Sequence, residues 1–402
     1  MFALLINAGS SSLKASLVAV SDGHVIAEGG ADWAGAETHY RYRGPDGQEV
    51  RQKQDWKGPA PAVQHFIQDI LHREPIALTS LGNLLAVAHR VVHGGSAVSA
   101  LKITSAVRAH LQELSVLAPL HNPPSLEAIA AAEQAFPTVP HFAVFDTAFH
   151  TTLPPEAFTF PLPEAWTDLW GIRRYGFHGL SHAYCSQRAA ELVNRPVEEL
   201  RTIVCHLGHG CSMSAIRAGK SVDTSMGFTP TDGLMMATRC GAIDPAIIPY
   251  VQQRYQLSPA EVEQVLNRQS GLLGVSGVSS DLREVSAAAQ AGHVRSQLAL
   301  SMYVFRIRKT IGAYAAVLGG LEVLVFTAGV GEHSAEIRAS VCQNLDFLGI
   351  RLDSQLNRDC RPDAEISASA ASVRTLVIRC REDLQMLREI QPLQGSNRSG
   401  PQ

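Results

Sequence analysis

The sequence predicts an α/β protein of two domains, each organised around an apolar strand that runs into a turn of small residues. Three observations predict it. The chain has 402 residues, more than one ordinary hydrophobic core organises. One local pattern recurs at distant points: Leu4-Leu5-Ile6 leads into Asn7-Ala8-Gly9-Ser10-Ser11-Ser12-Leu13-Lys14, Thr202-Ile203-Val204 into His206-Leu207-Gly208-His209-Gly210, and Leu324-Val325-Phe326 into Thr327-Ala328-Gly329-Val330-Gly331-Glu332. Hydrophobic residues make up 46% and charged residues 18%, the balance of a globular enzyme rather than a disordered chain. Sequence similarity between the halves is weak, so a duplicated architecture rests on the recurring loops alone. Such turns bring backbone N–H groups close to a ligand, and phosphate oxygens suit them best. Three of them suggest a nucleotide held between two halves.

The elements follow in order. Leu4–Asn7 and Ala15–Val20 flank the first loop like a hairpin, with Lys14 on its far side. Val25–Tyr42 continues an alternating strand pattern up to the turn Arg43-Gly44-Pro45-Asp46-Gly47. Ala62–His72 reads as a helix, Ala86–Val92 as a strand and Ser125–Phe136 as an Ala-rich helix after Asn122-Pro123-Pro124. Phe142–Phe145 is a short strand that delivers Asp146 to its end, and a second domain begins near residue 150. Ser258-Pro259-Ala260-Glu261 is a capping box with proline in the first turn, opening a helix that stops at Gly271. Ser286–Leu318 reads as one long amphipathic helix with Leu298, Met302, Phe305 and Ile311 as core and Arg306, Arg308 and Lys309 as a solvated face. Ala313–Gly331 approaches membrane-span length, but Gly319-Gly320 and Glu322 interrupt it, so a helix followed by a buried strand is expected. Glu382–Ile390 is a closing helix and 394–402 a disordered tail.

Bulk properties exclude several classes. The net charge is −3 and the pI about 6.6, so no basic excess points to nucleic acid or an anionic membrane. The seven cysteines are odd in number and show no CxxC spacing, which favours reduced thiols in a cytosol. The N-terminal Met-Phe-Ala-Leu-Leu-Ile-Asn lacks a basic n-region and reads as a first strand.

Several constellations bear chemistry. Asn7–Lys14 offers a glycine, three serine hydroxyls and a lysine, without Walker order: a phosphate cradle or a plain hairpin turn. Arg90, in His89-Arg90-Val91-Val92-His93-Gly94-Gly95, ends an apolar strand, and Arg239, in Thr238-Arg239-Cys240-Gly241, lies beside a glycine turn. Either is a surface ion pair or a bidentate anion ligand, and their small, apolar neighbours make solvation the weaker reading. His178 and His182 stand at i and i+4, but Gly179 replaces the Glu a zinc helix wants and weakens a helix there. His178 is therefore a donor to a transferring phosphoryl group or a core histidine. Asp146 is a carboxylate at a strand end or a helix N-cap. Ser212 lacks the G-x-S-x-G elbow of a hydrolase nucleophile. Cys211 and Cys240 lie in the proposed loops, as oxidation-sensitive thiols or as inert packing.

Over nearly its whole length the chain resembles the acetate kinase (acetokinase) family, in the wider superfamily of sugar kinases, Hsp70 and actin. The matching stretches are INAGSSSLK, HRVVHGG, LAPLHNP, FDTAFH, YGFHG, GKSVDTSMGFTP, GLMMATR and FTAGVGE. The resemblance implies a two-domain duplicated βββαβαβα (actin-like ATPase, ribonuclease H-like) fold with an active-site cleft between the domains. Residues 1–148 plus 382–402 would form the acyl-substrate and magnesium side, and 149–381 the nucleotide-binding and dimerisation side, with a hinge near 148 and 380.

The implied activity is reversible, Mg²⁺-dependent transfer of the ATP γ-phosphoryl group to acetate, giving acetyl phosphate and ADP. Mn²⁺ is an alternative metal. By the same resemblance Asn7 and Glu382 hold the metal. Ser12, Lys14, His206, Leu207, Gly208, His209, Gly210, Asp281, Leu282, Arg283, Gly329, Val330, Gly331, Glu332 and His333 take ATP. Arg90 and Arg239 bind the acyl substrate and the moving phosphoryl group, His178 stabilises the developing charge, and Asp146 is the catalytic aspartate. Val92, Leu120, Phe177 and Pro230 make the pocket for the acetate methyl. A cytoplasmic homodimer with no nucleic-acid or membrane partner is implied.

The pattern departs from the family at four places. His209 stands for the usual asparagine, Gly241-Ala242 for Gly-Asp, Gly331-Glu332-His333 for Gly-Glu-Asn, and Leu180 for threonine. The three loop substitutions keep open a nucleotide-binding regulator that has lost catalysis; within the same class a propionate kinase is the alternative, although its larger pocket would want a smaller residue than Val92.

Overall fold

The computed structural model describes residues 1–73, 83–119 and 121–395. The chain divides into one unit of Met1–Thr151 with Arg381–Gln402, and a second of Thr152–Cys380. Among the described residues no helix is long and apolar enough to cross a membrane.

The first unit is built on an eight-stranded sheet ordered β5-β4-β3-β2-β1-β6-β8-β7. Its strands are β1 (Phe2–Ala8), β2 (Ser12–Ala19), β3 (Val25–Asp32), β4 (Thr38–Arg43), β5 (Glu49–Gln54), β6 (Leu84–Val91), β7 (Leu101–Lys102) and β8 (His141–Phe145). β1 to β5 form an antiparallel meander, whereas β1, β6 and β8 run parallel. The sequence explains the split. β8 is buried at every position, as a parallel strand covered on both faces must be. β4 alternates strictly, with Thr38, Tyr40 and Tyr42 buried and His39, Arg41 and Arg43 outward. Helices Pro59–Arg73 and Asn122–Ala135 close the main core, and the helix Glu382–Gly395 packs against β1, β6 and β8.

The second unit repeats this plan. Its strands are β9 (Arg201–Leu207), β10 (Cys211–Arg217), β11 (Lys220–Thr224), β12 (Val323–Thr327), β13 (Ala364–Glu365) and β14 (Arg374–Val377). Their order is β11-β10-β9-β12-β14-β13. A hairpin meander joined to two parallel strands therefore occurs twice, as β3-β2-β1-β6-β8 and as β11-β10-β9-β12-β14. This is the duplicated α/β fold expected from the sequence.

Several local expectations need correction. The stretch Ser286–Leu318 is two helices, Leu282–Gln290 and Val294–Leu318. Gly292 adopts a left-handed φ of 91° between them and stops the first. On the second helix Leu298 and Phe305 are exposed, while Tyr303, Ile307 and Ile311 form the buried stripe. Arg306 and Arg308 are not simply solvated: they donate to the carbonyls of Ala242 and of Ser340 and Val341. The helix opened by the Ser258 capping box ends at Arg268, and Gly271 begins a further helix, Gly271–Ser276. Gly179 opens the helix Gly179–Val193 rather than weakening it, with His178 as its N-cap. The third glycine loop is no loop, since β12 passes directly into the helix Ala328–His333. The closing helix runs to Gly395, past the point where the tail was expected to start, and 396–402 lie outside the described residues. The helix stop at Gly319 and the buried strand beyond it are as expected.

Candidate active site

In the first unit, the carboxyl ends of parallel β1, β6 and β8 lie side by side, and each delivers one polar residue. Asn7 is near the end of β1, Arg90 near the end of β6, and Asp146 follows β8. Carboxyl ends of parallel strands are where ligands bind in open α/β sheets. The Arg90 guanidinium forks onto Asp146, Nε to Oδ1 at 2.8 Å and Nη2 to Oδ2 at 2.6 Å. Its Nη1 donates to Glu382 Oε2 at 3.1 Å, and Asn7 Nδ2 donates to the same oxygen at 3.3 Å. Asp146 is 1% exposed and held in a bidentate bond, so it orients the arginine rather than waiting as a free base.

The loop after Arg90 is pinned as well. Asn122 bonds both the N–H and the C=O of His93, and Gly94 N donates to Thr147 Oγ1 at 3.1 Å. A Cβ on Gly94 would meet Phe145 at 2.4 Å, so only glycine fits.

Glu382 sits above the usual carboxylate range. Burial pushes it up and the neighbouring Asp146 charge adds to this, against the pull of Arg90 and Lys14. A cation beside it would relieve that cost. Asn7 uses its amide N–H on Glu382, which leaves its carbonyl oxygen. One carboxylate and one amide oxygen make a hard donor set, which fits Mg²⁺ with water in the remaining positions.

In the second unit the centre is Gly210, in the hairpin between β9 and β10. A Cβ there would meet Arg239 Nη1 at 3.3 Å and His178 Nε2 at 3.5 Å, so both side chains converge on this glycine. Arg239 is part-buried and donates to the Pro230 carbonyl at 3.3 Å. It has no carboxylate partner among the described residues. Burial pulls its guanidinium below the ordinary arginine value, and an anion arriving there would restore the balance. His178 has a left-handed backbone, φ 56°, uncommon outside glycine. Its ring stacks on His206 at 4.1 Å. His178 Nδ1 lies 2.9 Å from Ser212 Oγ, and His182 Nε2 lies 2.7 Å from the same oxygen.

Next to these groups is a cavity of about 910 Å³ lined by Gly208, His209, Asp281, Leu282, Arg283, Gly329, Val330 and His333, among others. Parallel pairing of β9 with β12 sets His206 beside Thr327, which brings the two glycine segments together from over 100 residues apart in sequence. Asp281 caps the helix Leu282–Gln290 and pairs with Arg283 at 2.6 Å. His209 is held below the ordinary histidine value by burial and then by the Arg239 charge. Cys211 is buried against Tyr303 and Gly208, with its thiol pushed up to about 11, so it is inert packing at neutral pH.

The remaining expected site residues fall as follows. Lys14 pairs in register with Asn7 across the first hairpin and points outward, and Ser12 opens β2. Leu207 is fully buried on β9. Glu332 accepts from Cys380 N at 2.8 Å, and Gly331 gives its carbonyl to Arg338, so these two support the pocket wall. Val92 belongs to the first unit and Phe177 and Pro230 to the second; Leu120 lies outside the described residues. Sequence reading weighed Ser212 and His182 but not as partners of His178, and it missed the Asn122 clamp and Arg174, which donates to the carbonyls of Thr224, Ser225 and Met226. Only the spacing of the two histidines hinted at any of it.

The repeated sheet plan makes this a protein of the two-domain actin-like ATPase class. Comparison with known proteins narrows the class. The profile of the Acetokinase family matches residues 2–388. The acetate kinase of Shouchella clausii is 46% identical over 387 residues, 96% of this chain and 98% of that one. The crystal structure of Porphyromonas gingivalis acetate kinase is 39% identical, with a TM-score of 0.88 over 98% of this chain and 99% of that one. A propionate kinase from Francisella tularensis is 35% identical, with a TM-score of 0.88 over 96% and 98% of the two chains. The chain belongs to the acetokinase family.

Proposed function

We propose that this chain is an acetate kinase, transferring the γ-phosphoryl group of ATP reversibly to acetate to give acetyl phosphate and ADP. The observation that carries this reading is Arg239, a part-buried guanidinium that converges with His178 on Gly210 and has no carboxylate partner among the described residues. A buried cation of this kind calls for an anion.

Acetate is already ionised at neutral pH, so the nucleophile needs no strong base. The barrier is the approach of two anions, and catalysis is positioning plus cancellation of charge. Arg90, aligned by Asp146, takes the acetate carboxylate. Arg239 and a donor N–H of His178 take the equatorial phosphoryl oxygens in an in-line displacement. Asn7 and Glu382 would hold Mg²⁺, with Mn²⁺ able to substitute, and the metal supplies further neutralisation of phosphate charge. Ser12 and Lys14 reach the phosphates, and the cavity beside His209, Asp281, Arg283, Val330 and His333 takes the nucleoside. Val92, Phe177 and Pro230 are the apolar residues assigned to the acetate methyl. This reading gives the acyl and metal side to 1–148 with 382–402, and nucleotide binding and homodimerisation to 149–381, in a cytoplasmic enzyme.

The similarity to a propionate kinase favours some turnover of the longer acid, because one methylene is worth only about 1–3 kcal/mol in an apolar pocket. A coupled ADP-release assay with Mg-ATP across formate, acetate, propionate and butyrate tests the assignment. The expected kcat/KM is highest for acetate and next for propionate. A maximum at propionate would transfer the assignment to propionate kinase, and no acid-dependent release would leave a nucleotide-binding regulator.

A further inference from the structure

We infer that Ser212 is a positioning residue that sets which nitrogen of His178 carries the proton, acting as the middle of a relay from His182. The inference rests on the kinase reading above for its consequence in rate, but its structural content stands apart from it.

Ser212 Oγ lies between two imidazoles, 2.9 Å from His178 Nδ1 and 2.7 Å from His182 Nε2. Ser212 and His182 are both fully buried, so bulk water does not compete for these bonds. Register fixes the hydroxyl, since Ser212 pairs with His206 across the β9–β10 hairpin. His206 in turn stacks on the His178 ring and bonds Ser181 Oγ at 2.8 Å through Nδ1. The stack fixes the plane of the His178 ring, and within that plane a flipped ring would lose the Ser212 bond.

A serine hydroxyl has one proton. It can donate to only one of two neutral imidazoles and must accept from the other. Two polarities are possible. In one, His182 Nε2–H donates to Ser212, Ser212 donates to His178 Nδ1, and the proton of His178 is left on Nε2. In the other every bond reverses, and His178 Nε2 presents a lone pair. Nε2 is the nitrogen that faces Gly210 beside the Arg239 guanidinium. A lone pair there would repel an anionic phosphoryl oxygen, whereas an N–H donates to it. The relay that runs from His182 through Ser212 to His178 is the one that serves the reaction. It keeps the donor in place without a net charge on the ring, and its action is orientation and tautomer choice.

The test is nuclear magnetic resonance of the full-length protein labelled with ¹⁵N-histidine, with the His178 signals assigned by loss in His178→Gln. The expected result is a single neutral form of His178 with its proton on Nε2, and a mixture of tautomers in Ser212→Ala. In parallel, Ser212→Ala should lose about 10–100-fold in kcat for acyl phosphate formation with both KM values nearly unchanged, and Ser212→Thr, which keeps the hydroxyl, should recover most of it. A wild-type His178 protonated on Nδ1, or a tautomer unchanged by Ser212→Ala, overturns the inference. The wild-type spectrum decides the point even where Ser212→Ala folds poorly. A correct tautomer in a protein that makes no acyl phosphate would instead sink the kinase reading alone.

Discussion

Arg90 and Arg239 are the same residue type in opposite states. Arg90 is held by Asp146 and Glu382, while Arg239, among the described residues, donates to a carbonyl and a sulfur and meets no carboxylate. Replacing either by alanine should cost about 10²–10³ in kcat/KM, with denaturant midpoints near wild type for Arg239→Ala. Lysine should not rescue Arg90, because a point charge cannot fork onto Asp146. Retained turnover in either variant would place the chemistry elsewhere. Val92 is half-buried just past the end of β6. Val92→Ala should raise the propionate-to-acetate ratio of kcat/KM, and an unchanged ratio removes Val92 as a discriminator. His209, where the family resemblance leads one to expect asparagine, stays neutral until below its ordinary value. Its influence on the ATP KM is confined to pH below about 6.5, and His209→Asn should flatten that dependence.

At the scale of elements, what the sequence revealed depended on how local the cause was. The capping box at Ser258 was legible because both partners lie within four residues, and the structure shows both of its bonds. Ser258→Ala should cost about 1 kcal/mol, read as a lower denaturant midpoint. The break at Gly292 was missed because apolar periodicity continues on both sides of it, so a single left-handed residue outweighed the pattern. The helix after His178 was missed for the opposite reason, since glycine argues against a helix interior but is harmless at its first position. Arg90 and Arg239 were legible as arginines embedded in small and apolar sequence. Their partners were not, because Glu382 lies 292 residues from Arg90 and only the β6 register and the closing helix join them.

For the whole molecule, the buried histidines predict an acid limit on stability. Gly95 N donates to His93 Nδ1, which needs that nitrogen unprotonated. Burial lowers His93 to about 4. His89 and His141 share one hydrogen bond at 3.1 Å and are both lowered by burial. The unfolded chain takes up these protons near 6.5, the folded chain only at lower pH, so stability rises with pH through this window. It is full above about 6.5 and falls steadily towards pH 4, with His93 alone contributing on the order of 3 kcal/mol. Denaturant midpoints measured from pH 7.5 to 4.5 should fall, and His93→Gln should weaken the slope; a flat profile contradicts the neutral buried pair and His93 alike. The duplicated plan puts Arg90, aligned by Asp146 and Glu382, in one unit, and in the other Arg239, which has no carboxylate partner among the described residues, near a cavity of about 910 Å³.

The most direct measurement is to incubate the protein with Mg-ATP, acetate and hydroxylamine and to quantify acetohydroxamate. The account predicts hydroxamate in step with ADP for the wild type and a near-complete loss of both for Arg239→Ala. ADP release without hydroxamate, or undiminished hydroxamate from Arg239→Ala, would contradict it.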